Sequence, residues 1–169
     1  MRPAPEPAIG KSALRHVNGE RDVALARALF EEYAAWLAVD LCFQGFAQEL
    51  ASLPGAYALP RGRLLLAGEP GEAFGCIALR PLDAAVGEVK RLYVQQRARG
   101  CGWGRRLVEA IVDEARAIGY ATLKLDTLER MTEARALYAS AGFRPCEAYY
   151  RNPLGDTIYM ALDLGAARR

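Results

Sequence analysis

The sequence predicts an α/β fold (α+β in some schemes), a mixed β-sheet with helices on both faces. Three observations predict it. Short alternating or apolar stretches and 3.6-period stretches succeed one another along the chain. One long amphipathic stretch joins two strand-like stretches, as a parallel pair requires. No internal repeat or Pro/Gly/Ser-rich linker divides the chain.

Residues 12–17 read as a short strand. A helix is expected over 22–37, where Val23, Ala26, Leu29, Phe30, Tyr33 and Leu37 recur at three- and four-residue steps. A shorter helix over 43–53 is stopped by Pro54-Gly55. Residues 63–67 and 73–79 form a hairpin around Glu69-Pro70-Gly71-Glu72, and 87–94 extends it into an antiparallel meander. The period then changes. Leu107, Val108, Ile111, Ala115 and Ile118 make one stripe over 102–118, and Gly119 sits at the C-cap position. Residues 120–126 are a strand with Leu123 and Leu125 on one face, and 131–141 a helix ended by Gly142. Strands over 144–149 and 157–162 close the order, joined by a loop holding Asn152, Pro153 and Gly155. The domain is expected over 11–164, with tails at 1–10 and 165–169.

The chain has 169 residues, 25% charged, with 22 basic against 20 acidic side chains. That balance leaves no concentrated basic face for nucleic acid. No stretch reaches the roughly 20 apolar residues that span a bilayer. Cys42, Cys76, Cys101 and Cys146 form no CxxC pair, and His16 is the single histidine. Neither a metal site nor a disulfide framework is expected, and reduced thiols point to the cytoplasm.

The segment from Val94 to Leu107 carries the most information. It leaves a strand, holds Gly100, Gly102 and Gly104, and opens a helix. The first N–H groups of a helix have no partner within it and favour anions. Arg97, Arg99, Arg105 and Arg106 add positive charge. The physical reading is a phosphate or pyrophosphate cradle. A Rossmann fingerprint fails on spacing, since its third glycine would fall on Arg105 or Leu107, and no Gly-Lys-Ser/Thr triplet exists for a Walker loop.

Arg97-x-x-Gly100-x-Gly102-x-Gly104 after Leu92-Tyr93-Val94 resembles the acetyl-CoA-binding motif of the GNAT N-acetyltransferase superfamily. Ala134-Arg135-Ala136-Leu137-Tyr138, running on to Gly142-Phe143, resembles the family's later AxxLYxxxGF helix. The resemblance covers residues 12–162. It implies a splayed strand pair holding acetyl-CoA, with a β-bulge parting the strands and no metal. The pyrophosphate would rest on N–H groups from Arg99 through Gly100, Cys101, Gly102, Trp103 and Gly104 to Arg105. The pantetheine would pair with the main chain around Leu92 and Val94, beside Tyr93. Tyr138 matches the family's proton donor to the leaving thiolate, or is a buried helix tyrosine. Glu88 matches a position where some members carry a catalytic base; anchoring the substrate and pairing with Lys90 or Arg91 are the alternative readings. Met131 stands where an asparagine often touches the pantetheine. For the acceptor, a small-molecule amine such as an amino acid is expected, with Lys90 and Arg91 for a carboxylate and Tyr149, Tyr150 and Asn152 near it. On a strand, at most one of the two adjacent tyrosines is expected to face the cleft. Tyr33, Trp36 and Phe43 are further candidates for the acceptor side. Leu125-Asp126-Thr127-Leu128, taken with that tyrosine pair, resembles a subgroup of small bacterial acetyltransferases. A homodimer is compatible with the family. A catalytically silent acyl-CoA sensor, a longer acyl donor and an oxygen acceptor remain open alternatives.

Overall fold

The structure is a computed structural model that describes residues 13–165. The two expected tails lie outside it, save Gly165. The expected order of elements is found: β1 (Leu14–His16), α1 (Gly19–Leu37), α2 (Phe46–Ser52), β2 (Arg63–Ala67), β3 (Gly75–Pro81), β4 (Val86–Val94), α3 (Trp103–Ile118), β5 (Thr122–Leu128), α4 (Thr132–Ser140), β6 (Arg144–Pro145) and β7 (Thr157–Asp163).

The strands make one sheet in the order β1-β2-β3-β4-β5-β7-β6. Among the described residues only β4 and β5 are parallel, and α3 is the crossover between them. Alternation along β2 sends Leu64 and Leu66 to one face and Leu65 and Ala67 to the other. On the first face lie Ala26, Leu29 and Phe30 of α1. On the second lie Leu107, Val108, Ile111 and Ala115 of α3, with Phe143 beyond α4.

Several boundaries shift by two or three residues, α1 starting at Gly19 and β5 covering Thr122–Leu128, and two elements change in extent or kind. The helix expected over 43–53 is split: a 3-10 turn covers Cys42–Gln44, and Gly45 in the left-handed region (φ 67°) separates it from α2. The strand expected over 144–149 stops at Pro145, which has no N–H to continue the ladder. Cys146 still donates to the Tyr159 carbonyl at 3.0 Å, after which the chain leaves the sheet.

Two details of β4 position the site. It pairs with β5 only at Val86↔Thr122, Gly87↔Leu123 and Glu88↔Lys124. Beyond Glu88 the strands part, and among the described residues the β5-facing edge of β4 has no strand partner. The register of β4 against β3 also slips: Cys76 faces Tyr93 whereas Ala78 faces Lys90. One extra residue therefore stands on β4, the expected bulge. Arg91 takes a left-handed φ of 61° there, and the Cys76 thiol donates to its carbonyl at 3.2 Å.

Candidate active site

The parted strands open onto a cavity of about 710 Å³. Its size falls in the ordinary range for a ligand site. Leu92, Tyr93 and Val94 of β4 form one wall, and Arg99, Gly100, Gly102, Trp103, Gly104 and Arg105 form one end. Met131, Thr132, Glu133, Ala134 and Leu137 close the α4 side, and Trp36 and Arg130 sit at the rim.

The anion cradle has a clear origin in sequence. Gly100 (φ 79°) and Gly102 (φ 82°) supply left-handed turns that other residues rarely adopt. The first N–H to bond back within the helix is that of Arg106, to the Gly102 carbonyl at 3.1 Å. The N–H groups of Trp103, Gly104 and Arg105 therefore have no helical partner. Gly104 serves differently: a Cβ there would meet Leu137 Cδ2 at 3.0 Å, so its absence lets α4 approach.

Not every arginine or turn residue expected at the cofactor lines the cavity. Arg99 does, stacking over Trp36 at 4.7 Å. Arg97 points away; its Nε donates to Gln95 and its guanidinium lies over Phe74. Cys101 is exposed and is absent from the lining. Trp36, expected on the acceptor side, belongs to the cofactor side. The side chain of Phe43 lies outside what is described. Arg130, Thr132 and Glu133 were missed by sequence reasoning; their place at the start of α4, facing the cradle, was the available signal.

A second, smaller recess of about 40 Å³ lies beyond the shared walls Leu37 and Met131. Lys90, Arg91, Asp126, Thr127, Tyr33 and Gln44 are among its lining. Glu88 does not line it and is 1% exposed. Both Glu88 oxygens are engaged: Arg80 Nε donates to one at 2.7 Å and the Tyr149 hydroxyl to the other at 2.6 Å. Lys90 Nζ stands 3.8 Å from the first oxygen. Arg91 is committed elsewhere. Its Nε and Nη2 donate to the two oxygens of Glu49 at 2.8 and 3.1 Å, and Nη1 to Gln44 at 3.0 Å. The expected carboxylate clamp of Lys90 with Arg91 thus reduces to Lys90, because the bulge turns Arg91 toward α2.

Neither Tyr149 nor Tyr150 is among the residues lining the two cavities, but each hydroxyl donates to a carboxylate near them, Glu88 and Asp126 respectively. Both tyrosines lie on a loop rather than on a strand, so strand alternation does not apply. The Tyr150 hydroxyl donates to Asp126 Oδ2 at 2.8 Å, and Asn152 Nδ2 donates to the Tyr150 hydroxyl at 2.8 Å. Asp126 was noted in the sequence only as part of a pattern. Its alternation with Leu123 and Leu125 on β5 was the signal that it faces the opposite side.

Tyr138 is buried against Phe143 and is absent from the lining of the larger cavity. Its hydroxyl makes no hydrogen bond among the described residues. Burial pushes its phenol well above the ordinary value, and nearby Tyr33 and Asp126 add to the rise. Burial likewise raises Tyr149, with the charge and hydrogen bond of Glu88 contributing next. Burial lowers the Lys90 ammonium, opposed by Glu88.

All eight tyrosines are shifted upward, burial being the first cause in each, and Tyr33 is pushed up to about 12. The folded state therefore holds these protons more tightly than the unfolded chain. Their contribution to stability is complete below about pH 10 and is lost as pH rises from there through about 12. In an alkaline titration, tyrosinate absorbance of the native protein should lag a denatured control and rise with unfolding. Eight tyrosines ionising together near pH 10 would contradict the burial described.

Among the described residues no helix is long and apolar enough to cross a membrane, and no His/Cys/Asp/Glu group has the make-up to hold a metal ion.

A profile of the acetyltransferase (GNAT) family matches residues 25–143. An uncharacterized N-acetyltransferase of Schizosaccharomyces pombe is 39% identical over 140 residues, which is 82% of this chain and 86% of the relative. An acetyltransferase from Streptococcus agalactiae shares the fold, with a TM-score of 0.73 at 21% identity over 89% of this chain and 97% of its own. A GNAT family acetyltransferase from Elizabethkingia anophelis, solved with acetyl-CoA bound, is 26% identical with a TM-score of 0.54, covering 66% of this chain and 82% of its own. The cradle, the parted strands and these likenesses converge: the chain belongs to the GNAT acetyltransferase family and is an acetyl-CoA-dependent acetyltransferase.

Proposed function

We propose that the protein transfers the acetyl group of acetyl-CoA to the primary amine of a small molecule such as an amino acid. The observation that carries this reading is the parting of β4 and β5 after Glu88↔Lys124. It sets an anion cradle at one end and a charged recess at the other, with Leu37 and Met131 shared between them.

The residues present fit acetyl-CoA. N–H groups at the start of α3, with Arg99 and Arg105, suit a pyrophosphate. The unpaired edge of β4 around Leu92 and Val94 suits the amides of a pantetheine arm. Acetyl-CoA supplies a thioester carbonyl open to attack by an amine. As the new C–N bond forms and the C–S bond breaks, Tyr138 gives its proton to the departing thiolate; its raised pKa keeps the phenol protonated until needed. The acceptor's ammonium gives one proton to solvent water before attack, and the nitrogen gives a second to water as the C–N bond forms. Glu88 acts as a positioning residue. Its carboxylate is enclosed by Arg80 and Tyr149 and stands beside Lys90, which lines the recess. The four cysteines are free, as suits a reducing cytoplasm.

The test is thiol release from acetyl-CoA across amino acids, polyamines, aminoglycosides and lysine peptides. Release is expected with one class of small amine. Tyr138→Phe is expected to lower kcat about 100-fold while leaving the KM for acetyl-CoA within about twofold. Tight acetyl-CoA binding without release to any amine would favour the silent-sensor reading. Unchanged kcat in Tyr138→Phe would remove the tyrosine from the chemistry.

A further inference from the structure

The smaller recess holds a cation that the protein itself leaves underused. The Lys90 side chain is only 4% exposed, yet the one ion pair it makes among the described residues is to Glu88 Oε1 at 3.8 Å, beyond hydrogen-bond reach. Among the described residues its three N–H donors have no acceptor at hydrogen-bond distance. No fully buried side-chain donor or acceptor among the described residues lacks a partner, so this ammonium, which has none, meets the recess and not the closed interior. Lys90 lines the recess, so the missing acceptor belongs to whatever enters it.

The same recess is bordered by an anion with a free oxygen. Asp126 Oδ2 accepts from Tyr150 at 2.8 Å and from Asn152 at 3.4 Å, while Oδ1 accepts nothing among the described residues. The surrounding cations are spent, Arg80 on Glu88 and Arg91 on Glu49. A dianion such as a phosphate ester would meet one available cation and two carboxylates. A polyamine would leave Lys90 facing like charge. A monoanionic group beside an amine satisfies both Lys90 and Asp126.

Resting on the acetyltransferase reading above, we infer that the acceptor is a free amino acid, its carboxylate held by Lys90 and its amino group oriented by Asp126. Lys90 is then a specificity-determining residue. The recess of about 40 Å³ gives room for a small charged head group. The adjoining cavity, across Leu37 and Met131, brings the thioester within reach of the amine.

The experiment compares kcat/KM for α-amino acids with that for the amines left when the carboxylate is removed, and with the carboxamides. The full chain, Lys90→Met and Lys90→Arg are assayed, and acetyl-CoA binding to each reports that the variant folds. The parent should prefer the amino acid about 100-fold over the decarboxylated amine, since a site built to pair a group rejects the analogue lacking it. Lys90→Met should lose that preference through a raised KM for the amino acid, with the bare amine changed less than about threefold. Lys90→Arg should keep a part of it. Equal rates for amino acid and bare amine, or an undiminished preference in Lys90→Met, overturns the inference while leaving the acetyltransferase intact. Release with no amine at all overturns the reading on which it rests.

Discussion

Gly102→Asp is expected to weaken CoA binding about 100-fold while hardly disturbing the fold. Gly102 caps α3, and the helix N-terminus behind it is where a pyrophosphate is read. A carboxylate fixed at this end competes for the same N–H groups and repels the phosphates. At roughly 4 Å and an effective dielectric of about 20, one like-charge contact costs about 4 kcal/mol, enough for this loss and more. The same carboxylate favours the helix dipole by about 0.3–1 kcal/mol. That gain offsets the strain of a side chain at φ 82°, and no atom lies within 4 Å of an added Cβ. Titration calorimetry with CoA, beside a thermal melt, checks both halves. Gly102→Ala separates the terms: it carries the strain without the charge, and should lower affinity less than about tenfold. If aspartate and alanine weaken CoA equally, charge at the helix end is not what the site reads.

Glu88→Leu is expected to destabilise the protein by about 3–5 kcal/mol, the cost of removing one partner from a buried charged cluster. Three groups lose their common acceptor: Arg80, the Tyr149 hydroxyl and, at longer range, Lys90. Arg80 is a third exposed and can turn to water, whereas the Lys90 side chain is only 4% exposed. Denaturant unfolding measures the loss. Glu88→Gln keeps the shape and should cost less, so it is the variant for kinetics. With Glu88 as a positioning residue, Glu88→Gln lowers kcat/KM but keeps the acidic limb of its pH profile. Loss of that limb in Glu88→Gln alone would instead make Glu88 the direct base.

Much of the fold is legible in the sequence because its signals are local. The stripe from Leu107 to Ile118 needs only a period of 3.6, and Gly119 only a left-handed C-cap. Strand ends are less legible. Pro145 ends β6 early, although the residues after it alternate acceptably. The cradle could be placed because glycine spacing and the helix start adjoin in sequence. The charged recess could not, because it is assembled from α1, the turn before α2, β4, β5 and the loop before β7. That Arg91 belongs to Glu49 depends on a contact 42 residues apart and on a bulge. Period-2 reading through β4 would place Arg91 on the face opposite Lys90. The slipped register turns it toward the same side. Tyr149 and Tyr150 illustrate the same limit: alternation holds on a strand and fails on the loop where they lie.

The single inserted residue at Arg91 gives β4 two independent halves. Before it, Glu88 and Lys90 project toward the α1 side; after it, Leu92 and Val94 pack toward the α3 side. The first half deals with the acceptor and the second with the donor. No side chain at 88, 90 or 126 walls the donor cavity. Substitutions there and in the cradle share no direct contacts, so their energetic effects should add. The strand works as a modular coupling. One end can be retuned to a different amine without re-engineering the grip on CoA, and the hinge between the two tasks is one residue long.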